Sequence, residues 1–211
     1  MTIAIPRRGV NWITSFGTIV DLLKKINKTR MKKILIAVFF ALISAVSLKA
    51  QLYSTSTGTV SFFSKTPMED IDAKCNSVLC VMNIGTRELA FSMVNTEFKF
   101  QNKLMGEHFN EKYVESEKFP KSFFKGKINE NVDLTKDGEY KVTVTGKLNI
   151  HGVEVERTIS GVVIVKEGTV QLKSSFAVKN VDHKIEIPTI VTSKIAESID
   201  VTVDVVLMPR K

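Results

Sequence analysis

The sequence predicts an all-β fold, a single domain of about eight antiparallel strands arranged as a sandwich or a closed barrel, with one short helix. Three observations predict it. From Gln51 onward, apolar residues recur at every second position. Gly-containing turns separate the alternating stretches. The alternation breaks off only once for long, between Leu104 and Ser116.

The strands follow in order. "GTVSFF" puts Val60 and Phe62 on one face of a strand over 52–64, and a second strand is expected over 71–83. "IGTRE" turns the chain into 88–95, where Leu89, Phe91 and Met93 share a face. Over 104–116 the period changes: Met105, Phe109 and Tyr113 recur at four-residue spacing, the stripe of a short helix turned inward. After Pro120 a strand over 121–130 carries Phe124 and Ile128 on one parity. The clearest alternation lies in 138–150, where Tyr140, Val142, Val144, Leu148 and Ile150 oppose Glu139, Lys141, Thr143, Thr145, Lys147 and Asn149. "HGVE" and "KEGT" are hairpin turns leading into strands over 153–165 and 168–178; the second of these strands places Val170, Leu172, Phe176 and Val178 on one face. The last strand, 197–208, does the same with Ile199, Val201, Val203, Val205 and Leu207. One oily and one wet face is the antiparallel pattern, and closing the sheet into a barrel would remove its exposed edges.

The chain of 211 residues is 44% hydrophobic and 25% charged, which supports one domain with a real core. Its net charge of +8 is not spread evenly. Residues 1–50 hold nine basic residues and one acid, which leaves twenty-one of each sign in the rest. The predicted fold therefore has no global field to draw nucleic acid or an anionic membrane, and neither is expected as a partner. The excess belongs to a leader. "MKKILIAVFFALISAVSLKAQ" joins Lys32 and Lys33 to an apolar run from Ile34 to Val46, with Ala50 before Gln51. That is the plan of a secretory signal peptide over 31–50, and the run is too short to span ~30 Å of hydrocarbon comfortably. The expectations are cleavage near Ala50, a periplasmic or secreted domain over 51–211, and no stable membrane span afterwards. Residues 1–30 show no strong period and read as an extension from an upstream start, with Met31 the true one. The alternative is an unusually long n-region starting at Met1.

Export invites a disulfide between Cys75 and Cys80. On one strand, five residues apart, their Cα atoms would lie roughly 16 Å apart and point to opposite faces, whereas a disulfide needs less than about 7 Å. Free thiols are expected.

The segment "HFNEKYVESEKFPKSFFKGKI", His108–Ile128, invites a chemical reading. His108 has Glu107, Glu111, Glu115 and Glu117 near it, but Lys103, Lys112, Lys118 and Lys121 lie in the same region, as on a solvated, self-compensated surface. Acid–base work would need a desolvated carboxylate. His108, His151 and His183 have no metal-ligand spacing, and neither cysteine has a Cys-x-x-Cys partner. No G-x-S-x-G elbow, P-loop or dinucleotide fingerprint occurs. No catalytic residue, cofactor or metal is assigned. His108 is expected on a helix surface or at its cap, and His151 in a hairpin turn.

The same segment resembles the signature of the YceI-like family of exported, lipocalin-like proteins associated with polyisoprenoid binding. "GKLNIHGV" (Gly146–Val153) resembles that family's G-x-L-x-I-H-G-V hairpin, and "FAVKNVDHKIEIP" (Phe176–Pro188) its F-x-V, then D, then I-x-I-P segment. The match runs through 51–211 in the right order. The resemblance implies a single antiparallel eight-stranded, lipocalin-like barrel with a hydrophobic lumen that holds a long isoprenoid chain. The inward candidates are Phe62, Phe91, Met93, Phe124, Tyr140, Val142, Val144, Leu148, Phe176 and Val178, with Met105 and Phe109 from the helix. None is charged, which suits a hydrocarbon chain and equally suits a plain core. Two functions stand: a carrier of a polyisoprenoid or other lipid, with 104–116 as a flap over the barrel mouth and its charges in water, or an envelope structural or interaction protein whose barrel is filled by its own side chains.

Overall fold

Eight long strands wind into one closed antiparallel barrel. Around the wall the order is β1 (Leu52–Lys65), β9 (Ser198–Pro209), β8 (Thr169–Lys179), β7 (Val153–Lys166), β6 (Gly138–Ile150), β5 (Lys121–Ile128), β3 (Glu88–Val94) and β2 (Asp70–Asn83), and β1 pairs back onto β2. The computed structural model describes residue 32 and residues 52–66, 68, 70–187 and 196–210. The extension over 1–30 and the signal-like stretch 31–50, Lys32 apart, lie outside the described residues, as does Pro188. A ninth strand that the periodicity does not announce, β4 (Lys99–Phe100), adds two residues to β2 at Ala73 and Lys74.

The tightest hairpins have a local cause. His151 and Gly152 between β6 and β7, and Glu167 and Gly168 between β7 and β8, all have positive φ. Two consecutive left-handed residues make the type I′ turn, whose twist matches the flanking strands. At Gly152 space adds to the demand: a Cβ there would meet the Phe119 ring at 2.4 Å.

The two ends of the barrel are covered differently. At the end holding the 167–168 hairpin, the loop after β5 folds across the opening. Its Leu134 is buried with Met82, Val170 and Leu207, Tyr140 donates its hydroxyl to the carbonyls of Asp133 and Lys136 at 3.1 and 3.0 Å, and Arg87 Nη1 donates to the Glu130 carbonyl at 2.8 Å. At the other end, α1 (Lys103–His108) continues into one π-helical turn, Phe109–Tyr113. Asn102 caps α1, its Oδ1 accepting from Leu104 N at 2.9 Å. The expected helix over 104–116 is thus shorter and changes pitch halfway. Val114 N donates to Phe109 O, five residues back, at 2.9 Å.

The thiols are free as expected, but they do not point to opposite faces. Cys75 and Cys80 both point inward and both are buried. The β1–β2 register shifts between Thr55 and Val60. Asn76 and Ser77 are consecutive exposed residues, so the inward parity moves from Ala73 and Cys75 to Val78, Cys80 and Met82. A bulge inserts one residue and resets the face. Burial pushes the Cys80 thiol up to about 12.

Candidate ligand-binding cavity

Inward residues of the strands meet differently along the barrel axis. Near the 167–168 hairpin they close on one another. Toward α1 they enclose a cavity of about 460 Å³, within the usual range for small-molecule sites of roughly 300–1,000 Å³. Leu89, Val163 and Leu172 lie at its deep end, and along β6 its wall runs from Val142 to Ile150. Eight strand steps make about 26 Å of strand, or about 20 Å of depth once strands are tilted as in a barrel.

The flap end of the cavity is aromatic. Phe62 of β1, Phe98, Phe100 of β4 and Phe109 of the π turn pack together, with centroids 5.3 Å apart for Phe62–Phe98, 5.5 Å for Phe62–Phe109 and 5.1 Å for Phe100–Phe109. The rings are tilted to one another, a favoured arrangement for aromatic side chains. Phe98 and Phe100 lie in the irregular stretch after β3, where no long alternation marks them; only the F-x-F spacing of a very short strand signals them. Val60, Ile159, Ile199, Val201 and Val203 also line the cavity, and the β9 alternation already placed the last three on one face.

Eleven of the twelve lumen candidates lie on the wall of this cavity: Phe62, Phe91, Met93, Met105, Phe109, Phe124, Val142, Val144, Leu148, Phe176 and Val178. Tyr140 does not. It packs against the filled core at the opposite end and points its hydroxyl at the covering loop. Tyr113, the third residue of the helical stripe, also reaches the wall, where desolvation raises its pKa. His108 lines the cavity rather than sitting on the outer helix surface, and although it holds the cap position of the π turn its side chain makes no capping hydrogen bond.

The charges of the 108–128 segment do not all face water. Glu115, at φ 45°, reaches across to the β6–β7 hairpin. Its carboxylate accepts from His151 Nε2 at 2.9 Å and is also bonded by Lys118 Nζ. These hydrogen bonds, Lys118 first, hold the Glu115 carboxyl below its usual range. His151 Nδ1 faces the His183 carbonyl at 3.2 Å, so the ring is held from both sides. His183 is buried, its Nδ1 donating to Val153 O at 3.1 Å, and desolvation lowers its pKa. Two histidines more than thirty positions apart therefore meet, and with Glu115 they tie the flap to the barrel rim. Asn95, also buried, adds a second tie: its Nδ2 donates to Phe119 O at 2.7 Å and its Oδ1 accepts from Ser122 Oγ at 2.8 Å. Among the described residues no cluster of three or more His, Cys, Asp or Glu could hold a metal ion.

A closed eight-stranded antiparallel barrel with a largely apolar interior cavity, its lining free of carboxylates, defines the class: a calyx of the lipocalin-like kind. Within it, the family model for the YceI-like domain matches residues 42–207, and the chain belongs to that family. Solved structures share the fold at low identity. A polyisoprenoid binding domain from Saccharophagus degradans superposes with a TM-score of 0.66 at 13% identity, covering 77% of this chain and 100% of that one. BcnA of Burkholderia cenocepacia does so at 0.61 and 16%, covering 71% and 95%. No curated protein matches the chain.

Proposed function

We propose that this protein is an exported carrier that holds a long apolar ligand, a polyisoprenoid or another lipid, in the barrel. The observation that carries the reading is the cavity of about 460 Å³ whose wall bears no carboxylate. A barrel filled by its own side chains, the competing reading, leaves no such space. The Saccharophagus degradans relative, described as a polyisoprenoid binding domain, supports the ligand class. The charge pattern of residues 31–50 supports export, with cleavage near Ala50. No helix among the described residues is long and apolar enough to cross a membrane.

Native mass spectrometry of protein purified from the envelope of its own host tests the reading. The expected spectrum contains a complex heavier than the polypeptide by one apolar molecule, on a chain that begins at or close to Gln51. Val144→Phe supplies the control, because Val144 is half-buried and faces the cavity. The ring should occupy ligand space, so the bound mass disappears while the melting temperature holds. A ligand-free parent whose Val144→Phe form is also clearly destabilised would return the barrel to the filled reading.

A further inference from the structure

β7 and β8 run on beyond the point where they stop pairing. Their ladder holds from Lys166↔Thr169 to Gly161↔Ser174 and ends there, although β7 begins at Val153 and β8 extends to Lys179. The neighbouring walls are stitched much further: β6 to β7 from Gly138↔Val165 to Ile150↔Val153, and β8 to β9 as far as Lys179↔Ser198. Beyond Gly161 the two strands are joined through side chains. Ser174 Oγ donates to Ser160 O at 2.7 Å, and Arg157 Nη2 donates to Ala177 O at 2.7 Å. The β2–β3 side of the barrel also loses its ladder toward this end, but there β4, α1 and the phenylalanine cluster cover it.

The cavity reaches through the wall at this seam. Its lining includes the inward residues Gly161 and Ser174, and also Ser160, Val162 and Lys173, which the alternation turns outward. A hollow on the outer face shares these five residues. The charged side chains bordering that hollow are Glu130, Lys141, Lys173 and Asp204. Both carboxylates are engaged within the fold. Glu130 accepts from Thr143 N and Oγ1, each at 2.8 Å, and these bonds hold its carboxyl below the usual range; Asp204 Oδ1 accepts from Gln171 Nε2 at 2.7 Å. Neither ammonium group belongs to an ion pair found among the described residues. Lys141 stands opposite Val162 on one side and Lys173 opposite it on the other, so the two lysines flank the outer edge of the opening. Lys173 stands opposite Asp204 across the β8–β9 ladder without forming an ion pair with it, and two unpaired ammonium groups beside an apolar channel suit a ligand with an anionic head.

Resting on the carrier reading, we propose that the β7–β8 seam is a head-group subsite: the apolar chain lies in the barrel, and a phosphate or carboxylate head sits outside, between Lys141 and Lys173. Displacement of the neutral probe N-phenyl-1-naphthylamine tests it, with geranylgeranyl phosphate, palmitate and geranylgeraniol as competitors. Wild type should prefer an anionic competitor over the alcohol by about tenfold, the value of one charge-assisted contact. The Lys141→Gln/Lys173→Gln protein should lose that preference and keep its affinity for geranylgeraniol. The phosphate and palmitate arms distinguish which anion the subsite takes. An alcohol that competes as well as both anions in wild type, or a preference unchanged in the double variant, overturns the subsite and leaves the carrier intact. Failure of the probe and of all three competitors to bind overturns both. Position has its own readout. Palmitate carrying a nitroxide beside its carboxyl should broaden the amide resonances of Ser160–Val162 and Lys173–Ser175. Broadening at Leu104–Tyr113 instead would put the head at the flap and refute the seam.

Discussion

The two ends of the barrel are built from the same strands with the same alternation, yet one is filled and the other hollow. At the 167–168 end, Met82, Leu134, Val170 and Leu207 are buried almost completely. At the flap end, Phe91, Met93, Val144, Phe176 and Val201 keep the inward parity but are only half-buried, because they face the cavity. What differs is the cover. Leu134 drops into the filled end from a loop stapled by Arg87 and Tyr140, whereas α1 spans the other end on a raft of phenylalanines. The covers are also held differently. Both use side-chain bonds to backbone carbonyls, from Arg87 and Tyr140 at the filled end and from His151, His183 and Asn95 at the flap, but the flap adds a carboxylate–imidazole contact, Glu115 to His151. An apolar stripe therefore specifies what faces inward, and the segments outside the strands decide whether it closes on itself.

The largest expected contrast comes from truncating one side chain at each end. Leu134→Ala should cost about 2–5 kcal/mol, since it removes a buried side chain and leaves a void in a packed region. Met93→Ala should cost about 1 kcal/mol, the partial transfer cost alone, because the side chain already borders empty space. Urea unfolding of both variants measures the difference; equal losses would erase the distinction between the ends.

A smaller contrast should appear on acidification. The pKa of His183 is lowered in the fold from 6.5, so the stability it contributes is present above that value and declines as pH falls below it. The Glu115 carboxyl is lowered from 4.5, so its contribution is present above 4.5 and is lost as pH falls through its folded value. Both groups belong to the flap end. Hydrogen exchange compared at pH 7 and pH 4 should show lost protection at residues 113–120 and 150–153, with Met82, Val165, Val170 and Leu207 little changed. In Glu115→Gln the change below pH 4.5 should shrink. Uniform loss of protection along the barrel would break the comparison.

The smallest effect concerns the thiols, one in each cluster. Cys75 packs with Val60, Val78 and Phe98 beneath the flap, and Cys80 belongs to the larger core. Both are buried, and the Cys80 thiol is pushed up to about 12, so iodoacetamide should modify the native protein slowly. Modification at Cys75 should come first, because the flap end opens more readily. Denaturation without reductant should release both thiols.

Period-two alternation was enough to place every long strand within a few residues of its observed bounds, since a half-buried strand must alternate. The type I′ hairpins were legible from Gly152 and Gly168, and most of the cavity wall from parity alone. Three features were not. The bulge in β2 was invisible because Asn76 and Ser77 are polar, and a polar pair reads equally as one outward residue and a turn; only the pairing with β1 reveals the extra residue that turns both cysteines inward. Tyr140 shares the parity of Val142 and Val144, but its place along the barrel axis, beneath Leu134, depends on which loop covers which end. The junction of Glu115 with His151 and His183 joins residues more than thirty positions apart on three turns, and no local pattern encodes such a meeting. The sequence by itself determined the all-β class, most of the inward set and its apolar character, because these follow from solvation residue by residue. Only the tertiary structure decided that one end is filled, that the other encloses about 460 Å³, and that β7 and β8 part above Gly161, because cavity volume and strand separation depend on how distant segments pack, which no local period records.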